Sequence, residues 1–248
     1  MEQFIQNYHV YHKSAVYEFH LGDGGIGDHI KFFMMALESC MKQGKRLYYK
    51  KMNIEIEKYI RLRHDVMYIT DDAIKQLEHV EIVTPYMFYS SLHDNYPVDI
   101  NQVFYFTDEI KINRALLFSQ DIHNYLAIHL RLGDKYLETD KAYVLCKEDT
   151  RPFSEDAIHQ FIETHASEPI FFCCDNYQYK VTLKEKYHNI IITNCEIGHT
   201  SLSNTTSKHI LDGITEFYLL TNARSIFAAS PSGFSVTASK FNNIPLLK

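Results

Sequence analysis

The sequence predicts an α/β fold made of two small halves. Strand-like apolar segments alternate with helical patterns in the second half of the chain, and a strand, a glycine-rich loop and a helix follow one another near the start. The length of 248 residues is long for one average domain and allows two halves of roughly 120 residues each. We therefore expect an amino-terminal half over 1–115 and a carboxyl-terminal half over 116–248, although no Pro/Gly linker marks the boundary.

The glycine-rich loop near the amino terminus is the first predicted ligand-binding element. A predicted strand at Ala15–Leu21 leads into GDGGIGDHI at 22–30, and an apolar helical pattern covers 29–41. A strand, glycine loop and helix in this order form the ligand-cradling turn of a Rossmann unit. Because the loop also contains GxGxxG, an NAD site is the alternative. The next predicted strand ends in Lys50-Lys51, where a ribose-binding acid would be expected, and this disfavours NAD.

The segment YLAIHLRLGDK at 125–135 is the predicted centre of the carboxyl-terminal half. Apolar residues alternate with His129 and Arg131, which is the period of a β-strand. Gly133 allows a sharp turn, and Asp134 and Lys135 follow at the carboxyl end, where open α/β sheets bind their ligands. The alternative is an edge strand with one solvated face, on which His129 and Arg131 would need no function.

The strands predicted after this segment favour a buried parallel sheet. They lie at 170–174, 190–193, 225–229 and 244–247, with helical stretches between them. Strands that alternate with helices form a parallel sheet covered on both faces. A guanidinium inside such a sheet needs an anionic partner, either from the protein or from a ligand. Arg131 is therefore a candidate anion-binding residue.

Three segments carry a resemblance to a known family. HLRLGDK at 129–135 resembles the His-x-Arg-x-x-Asp motif of the fucosyltransferase superfamily, which includes α1,2-, α1,6- and protein O-fucosyltransferases. The loop at 22–30 resembles the glycine-rich loop of that superfamily, and 211–235 resembles its Asp-helix-strand-Ser segment. Leu132 stands where many members have a second Arg. The resemblance implies an inverting enzyme of the GT-B fold, with two Rossmann-like halves and a cleft between them, in which Arg131 holds the diphosphate of a GDP-sugar.

Together with the sheet-edge argument, the resemblance gives the candidate donor-binding residues. They are Gly24, Gly25, Gly27, His129, Arg131, Asp134, Lys135, Asp175, Asp212, Ser230, Ser232 and Gly233. Asp175 follows a predicted strand, and capping the next helix is its structural alternative. The turn at 230–233 precedes a helix whose free amides would face a phosphate, and an ordinary Ser N-cap is the alternative.

The candidate catalytic residues are Arg131 and three carboxylates. An inverting transfer needs a base close to the acceptor hydroxyl, on the face opposite the leaving diphosphate. Asp23 and Asp28 satisfy this requirement best because they lie in the glycine loop of the acceptor half, although Asp28 could instead cap the following helix. Glu138 is the next candidate. If none of them is the base, it lies in the segment 53–122.

Composition and absent motifs exclude several other functions. The chain contains no Asp-x-Asp, GxSxG, HExxH or GxxxxGK[ST] motif, so metal-clamped transferases, serine hydrolases, zincins and P-loop proteins are disfavoured. Five cysteines without a CxxC pair predict no metal site and a reducing cytoplasm. A net charge of −6 without basic clusters argues against nucleic acid, and no apolar run approaches the roughly 20 residues of a membrane span.

The function that we predict is an inverting, metal-independent glycosyltransferase without a cofactor. Its partners are a nucleotide sugar, with GDP-fucose favoured, and a glycan or glycoprotein acceptor. Two alternatives stay open. One is a transferase with another nucleotide sugar, such as a UDP-pentose, as its donor. The other is a non-catalytic nucleotide- or glycan-binding module of the same fold.

Overall fold

The computed structural model describes residues 1–117, 124–136, 149–195, 197–199 and 205–248. The strands in these ranges are β1 (Lys13–Tyr17), β2 (Lys45–Lys50), β3 (Ile60–Leu62), β4 (Tyr68–Ile69), β5 (Val80–Val83), β6 (Phe104–Phe106), β7 (Leu126–Leu130), β8 (Ile170–Cys174), β9 (Ile190–Ile191), β10 (Ile226–Ala228) and β11 (Leu246–Leu247). The α-helices are α1 (Glu2–Gln6), α2 (Ile26–Gln43), α3 (Ile56–Tyr59), α4 (Asp71–Ile74), α5 (Asp108–Leu117), α6 (Glu155–Thr164), α7 (Tyr177–Lys186), α8 (Ser207–Leu220) and α9 (Gly233–Phe241).

Both halves contain a parallel sheet with the strand order of a Rossmann fold. The first sheet has the order β4-β2-β1-β5, and the second has the order β11-β10-β7-β8-β9. Within each sheet the chain first adds strands on one side and then returns to the other side. Ligands bind at such switch points, beyond the carboxyl ends of the strands. The predicted α/β fold with two Rossmann-like sheets is confirmed.

Strand β7 lies at the centre of the second sheet, between β8 and β10. All five of its residues are buried, so the edge-strand interpretation is wrong. The alternation of apolar and polar residues does not mark a solvated face here, because helices cover both sides of the sheet. The strand ends at Leu130, and Arg131 lies in the turn beyond it.

The sequence near 53–62 favours a helix, but the structure departs from this pattern. Helix α3 is only one turn long, because β3 follows it at once and pairs antiparallel with β6. This pairing buries Ile60 and Leu62, while Arg61 points outward. Burial against a partner strand thus overrides the local helical preference, which is common for short elements.

The two halves share one hydrophobic core. Helix α9 of the second half packs on α2 of the first half, and α5 packs on α8. The larger buried cluster includes side chains from both halves, whereas a second cluster fills the other face of the β7 sheet. In the ranges that the structure describes, no helix is long and apolar enough to cross a membrane. The division near residue 115 stays a prediction, and α5 continues to Leu117.

Candidate active site

A cleft of about 530 Å³ lies at the carboxyl ends of the two parallel sheets. The glycine loop after β1 and Tyr89 after β5 line it from the first half. The turns after β7, β8 and β10 line it from the second half. The cleft thus brings together eleven of the predicted site residues: Asp23, Gly24, Gly25, Gly27, Asp28, His129, Arg131, Asp134, Asp175, Ser232 and Gly233. It occupies the switch points of both sheets, as expected for a ligand site.

Two buried carboxylates hold the guanidinium of Arg131. Its Nη1 donates to Asp175 Oδ2 at 2.6 Å, and its Nη2 donates to Asp134 Oδ1. Both carboxylate side chains are almost fully buried, while 17% of the Arg131 side chain is exposed. Charge-assisted bonds in a partly buried setting fix the plane of a guanidinium. Arg131 is therefore preorganised at the edge of the cleft.

Asp175 also fixes the backbone of the turn after β7. Its Oδ1 accepts from the amide of Leu132 at 2.8 Å, and its Oδ2 accepts from the amide of Gly133 at 3.1 Å. The structural alternative for Asp175, a cap of the next helix, is wrong. That cap is Asn176, whose side chain accepts from the amide of Tyr179 at 2.8 Å. Asp175 thus shapes the turn that carries Arg131.

The segment 149–151 packs directly against the same turn. The amide of Arg151 donates to the Leu132 carbonyl at 2.9 Å, and the amide of Lys135 donates to the Asp149 carbonyl at 3.2 Å. Gly133 has a φ of +115°, and a Cβ there would lie 2.3 Å from the Asp149 carbonyl oxygen. Only glycine satisfies both the left-handed backbone and the close approach. Asp149 and Arg151 consequently line the cleft.

His129 lies beneath Arg131, between the sheet and α9. Its ring stacks on Phe234 with the centroids 5.1 Å apart, and its Nδ1 has no hydrogen-bond partner. Burial, reinforced by the charge of Arg131, lowers the pKa of His129 from 6.5 to about 3. His129 is therefore neutral at pH 7 and adds no positive charge to the cleft.

The carboxylates of the glycine loop are both bonded to their own loop. Asp23 is buried, and its Oδ2 accepts from the amide of His20 at 2.7 Å. Asp28 Oδ2 accepts from the amide of the N-cap residue Gly25 at 3.1 Å, which satisfies one free amide at the start of α2. Its other oxygen accepts from Lys31 Nζ at 2.8 Å. Gly25 is the N-cap of α2, so Asp28 supports the helix start from the third helical position instead of being the cap itself, and its side chain also borders the cleft.

The turn after β10 contributes through its backbone and one hydroxyl. Ser232 is the N-cap of α9, and its side chain accepts from the amide of Phe234 at 3.2 Å. Ser230 faces away from the cleft-lining surface: its hydroxyl accepts from the Arg131 amide at 2.8 Å and donates to the Arg131 carbonyl at 2.9 Å. Ser230 therefore ties the two turns together and supports Arg131 indirectly.

Lys135 and Asp212 are the other predicted residues that do not line the cleft. Lys135 is exposed. Asp212 is buried on α8, where it pairs with Lys208 and accepts from the side-chain amide of Asn113 at 3.3 Å. Its contacts belong to the packing of α5 on α8. Glu138 lies outside the described residues.

Sequence reasoning missed several residues that line the cleft, among them Lys31, Tyr89, Asp149, Arg151, His199 and Glu216. Glu216 is buried beside the cleft, where it accepts from Lys180 Nζ at 2.7 Å and from Cys173 Sγ at 3.1 Å. It lies one helical turn after Asp212, and this spacing is the signal that could have identified it. Burial lowers the pKa of Lys180, but Glu216, Cys173 and Cys195 together outweigh this effect and the net shift of the pKa is upward.

The geometry of the described residues can be compared with the sites expected for NAD and for a metal ion. Lys50 Nζ, at the end of β2, lies 3.0 Å from Glu18 Oε1 and 2.9 Å from Asp71 Oδ1. A cation thus occupies the position where an acid would hold the ribose of NAD. Among the described residues, no group of three or more His, Cys, Asp and Glu side chains is arranged to hold a metal ion.

Solved structures of fucosyltransferases have the same fold as this chain. No protein-family model matches the sequence, and no curated protein matches it. NodZ α-1,6-fucosyltransferase soaked with GDP-fucose is 13% identical, with a TM-score of 0.60 over 92% of this chain and 92% of that chain. NodZ from Bradyrhizobium is 14% identical, with a TM-score of 0.56 over 94% and 96%. A mutant of Arabidopsis thaliana FUT1 in complex with GDP is 10% identical, with a TM-score of 0.60 over 99% and 72%.

These matches assign the fold in two steps. The two facing Rossmann-like sheets define a GT-B-like protein, as the sequence predicted. Within that class, the fold of this chain is fucosyltransferase-like. The family resemblance found in the three sequence segments is thereby confirmed at the level of the fold.

Proposed function

We propose that this chain is an inverting, metal-independent glycosyltransferase that moves a sugar, with fucose favoured, from a nucleoside diphosphate to a glycan hydroxyl. The observation that carries the proposal is Arg131, which two buried carboxylates fix at the switch point of the β7 sheet, opposite the glycine loop. NodZ was solved with GDP-fucose and with GDP, and FUT1 was solved with GDP. Their common fold supports a GDP-sugar as the donor.

In the proposed reaction, the donor lies on residues 116–248 and the acceptor approaches from residues 1–115. The acceptor oxygen attacks the anomeric carbon while the bond from that carbon to the diphosphate oxygen breaks. The acceptor proton passes to a carboxylate, and the products are the inverted glycoside and the free nucleoside diphosphate. Negative charge grows on the diphosphate, and a fixed guanidinium stabilises this charge more than it stabilises the ground state.

A non-catalytic nucleotide- or glycan-binding module is the second candidate. It is favoured by the hydrogen bonds that engage Asp23 and Asp28 within their own loop. A base must be available to the acceptor hydroxyl, and a module without chemistry needs none. Such a protein would bind the nucleoside diphosphate at Arg131 without turning over the sugar donor.

One experiment separates these candidates. The protein is incubated with GDP-fucose, other GDP-sugars, UDP-pentoses and NAD, first without an acceptor and then with a set of glycans and glycoproteins. Release of the nucleoside diphosphate and the mass of the product are measured, together with the melting temperature. We expect GDP-fucose to raise the melting temperature and to be consumed, because a ligand that binds only the folded state stabilises it. Stabilisation without turnover favours the binding module, and stabilisation by NAD alone contradicts both. A cytoplasmic location stays a prediction from the cysteine content.

A further inference from the structure

We propose that Arg151 is a second donor-binding guanidinium, which contacts the diphosphate beside Arg131. This inference rests on the proposed function and names a further residue of the same site. Arg151 lies in a segment without a recognisable motif, nineteen residues after Leu132 in the sequence. Three observations support its role. They are its position, the charges around Arg131, and the small contribution of the Arg151–Asp149 pair to the stability of the fold.

The position of Arg151 is fixed by the backbone. Its amide donates to the Leu132 carbonyl at 2.9 Å, so it lies beside the residue that follows Arg131. The amide of Asp134 donates to Asp149 Oδ2 at 3.3 Å, which adds a second link between the two segments. Both arginines line the same cleft. The turn after β7 thus carries one guanidinium directly and anchors another.

The charges around Arg131 favour a second guanidinium close to a bound diphosphate. Arg131 faces both Asp134 and Asp175, so these three groups together have a formal charge of −1, and adding Arg151 with its partner Asp149 leaves that sum unchanged. What Arg151 adds is a guanidinium near the phosphate oxygens. A nucleoside diphosphate would bring at least two more negative charges. Like charges in a partly buried site are unfavourable unless cations offset them. The single positive charge of Arg131 does not balance the negative charges of its two carboxylate partners and of the diphosphate.

Arg151 is the best placed of the other cations. The described cleft-lining residues include three basic side chains of fixed charge: Lys31, Arg131 and Arg151. Lys31 is 15% exposed and bonded to Asp28, whereas 43% of the Arg151 side chain is exposed. His199 adds little, because burial and the nearby charge of Arg131 lower its pKa. A guanidinium can also form two parallel bonds to phosphate oxygens, which an ammonium cannot.

The contact between Arg151 and Asp149 does not by itself explain the residue. Arg151 Nε lies 3.1 Å from Asp149 Oδ1, and its Nη2 donates to Asp149 Oδ2 at 3.3 Å. The pair is half-exposed on the Arg151 side, so solvent screening keeps its contribution on the order of 1 kcal/mol. The pair instead orients the guanidinium towards the cleft, much as Asp175 orients Arg131. A diphosphate can then bind Arg151 without breaking a contact that contributes much to the stability of the fold.

The test compares the full-length wild type with Arg151→Gln, Arg151→Lys and the control Arg61→Gln. Arg61 is exposed on β3, and it is not among the residues that line the cleft. Titration calorimetry measures the affinity for GDP, UDP and inorganic pyrophosphate, and thermal melting checks the fold. We expect Arg151→Gln to weaken all three ligands by roughly 10- to 100-fold, because a hydrogen bond to a charged group is lost. Arg151→Lys should recover part of the loss, and Arg61→Gln should bind as the wild type does.

The equal loss for three ligands assigns the contact to the diphosphate, and an unchanged melting temperature with partial recovery in Arg151→Lys separates this contact from a purely structural role. Arg151→Gln keeps the backbone bond to Leu132 and should melt within a few degrees of the wild type. If a well-folded Arg151→Gln binds GDP, UDP and pyrophosphate normally, the inference is overturned while the proposed function stands. If the wild type binds diphosphates through Arg151 but transfers no sugar, the inference holds and the proposed transfer fails. If the wild type binds no diphosphate, both are overturned.

Discussion

Gly27, at the start of α2, touches Gly233, at the start of α9: a Cβ on Gly27 would lie 2.8 Å from the Gly233 carbonyl oxygen. Two helices from the two halves thus begin side by side at the cleft. The hydroxyl of Thr237 on α9 also donates to the Gly27 carbonyl at 3.4 Å. The contact between the halves therefore depends on a position without a side chain.

Gly27→Ala should separate these helix ends. A Cβ cannot stay 2.8 Å from a backbone oxygen, so one helix must move. We expect a loss of about 1–3 kcal/mol in the free energy of unfolding, as for other overpacked sites, and weaker donor binding. The control is Gly213→Ala, where the nearest atom is 4.0 Å away and Ala should gain up to about 1 kcal/mol in the helix. Chemical denaturation of both variants checks this, and equal stability would contradict the close contact.

Arg131→Lys should lower turnover much more than stability. Lys keeps a positive charge beside Asp134 and Asp175, but it offers one point charge in place of a planar fork. Loss of a transition-state contact of this kind costs about 2.7–4 kcal/mol, which is roughly 10²–10³-fold in kcat. Steady-state kinetics and thermal melting test this, with Arg61→Lys as the exposed control. Near-normal kcat in Arg131→Lys would rule out the proposed role.

The sequence located the turn after β7 because its chemistry is local. HLRLGDK combines a strand, a glycine and the charged residues of the site within seven positions, and both Arg131 and Asp134 line the cleft as predicted. The contribution of Arg151 could not be predicted in this way. Its segment has no periodicity, and backbone bonds between distant positions bring it to Leu132. In the same way, the β3–β6 pair depends on a tertiary contact that no local pattern encodes.

Activity should survive EDTA. We expect Arg131 and Arg151 to neutralise the leaving diphosphate, so that added Mg²⁺ or Mn²⁺ should change kcat less than about twofold. The experiment separates neutralisation by arginine from neutralisation by a metal ion. Asp134, Asp149 and Asp175 also border the cleft, and carboxylates beside a diphosphate can bind a divalent cation together with it. Turnover is measured after dialysis against EDTA and again after each metal is restored. Full loss and metal-dependent recovery would contradict the proposed electrostatics.

The stability of the protein should fall as the pH drops from about 6.5 to 4, partly because of His29. This residue is buried among Phe19, Tyr49 and Phe104, and its Nδ1 has no hydrogen-bond partner. Burial lowers its pKa from 6.5 to about 4. Between these values the unfolded chain binds a proton that the folded chain does not. Stability is therefore lost at up to about 1.4 kcal/mol per pH unit for this one group.

His29→Leu should remove this contribution. Urea unfolding of the wild type and the variant is compared at several pH values from 4 to 7. We expect the difference in the free energy of unfolding to grow in favour of His29→Leu as the pH falls, while His129 and the carboxylates contribute equally to both proteins. The control is His188→Leu, because His188 is exposed. A difference that stays constant with pH would show that His29 does not titrate as proposed.

The base of the proposed transfer should be one of three carboxylates, and separate variants can identify it. Asp23→Asn, Asp28→Asn and Glu138→Gln each remove one proton acceptor while keeping nearly the same shape. The base variant should bind GDP normally and lose transfer.

Asp28→Asn has a second expected effect, because the two Asp28 oxygens accept from the Gly25 amide and from Lys31 Nζ, whereas a carboxamide has only one oxygen. Loss of one of these bonds should cost about 0.5–1.5 kcal/mol of stability. Asp23→Asn should keep the hydrogen bond from the His20 amide, because the carboxamide oxygen still accepts. Asp23→Asn is consequently the cleaner test of whether the glycine loop supplies the base. Calorimetry with GDP measures binding, and transfer assays measure the chemical step separately. If all three variants retain transfer, the base lies in the segment 53–122, where Tyr89 already reaches the cleft.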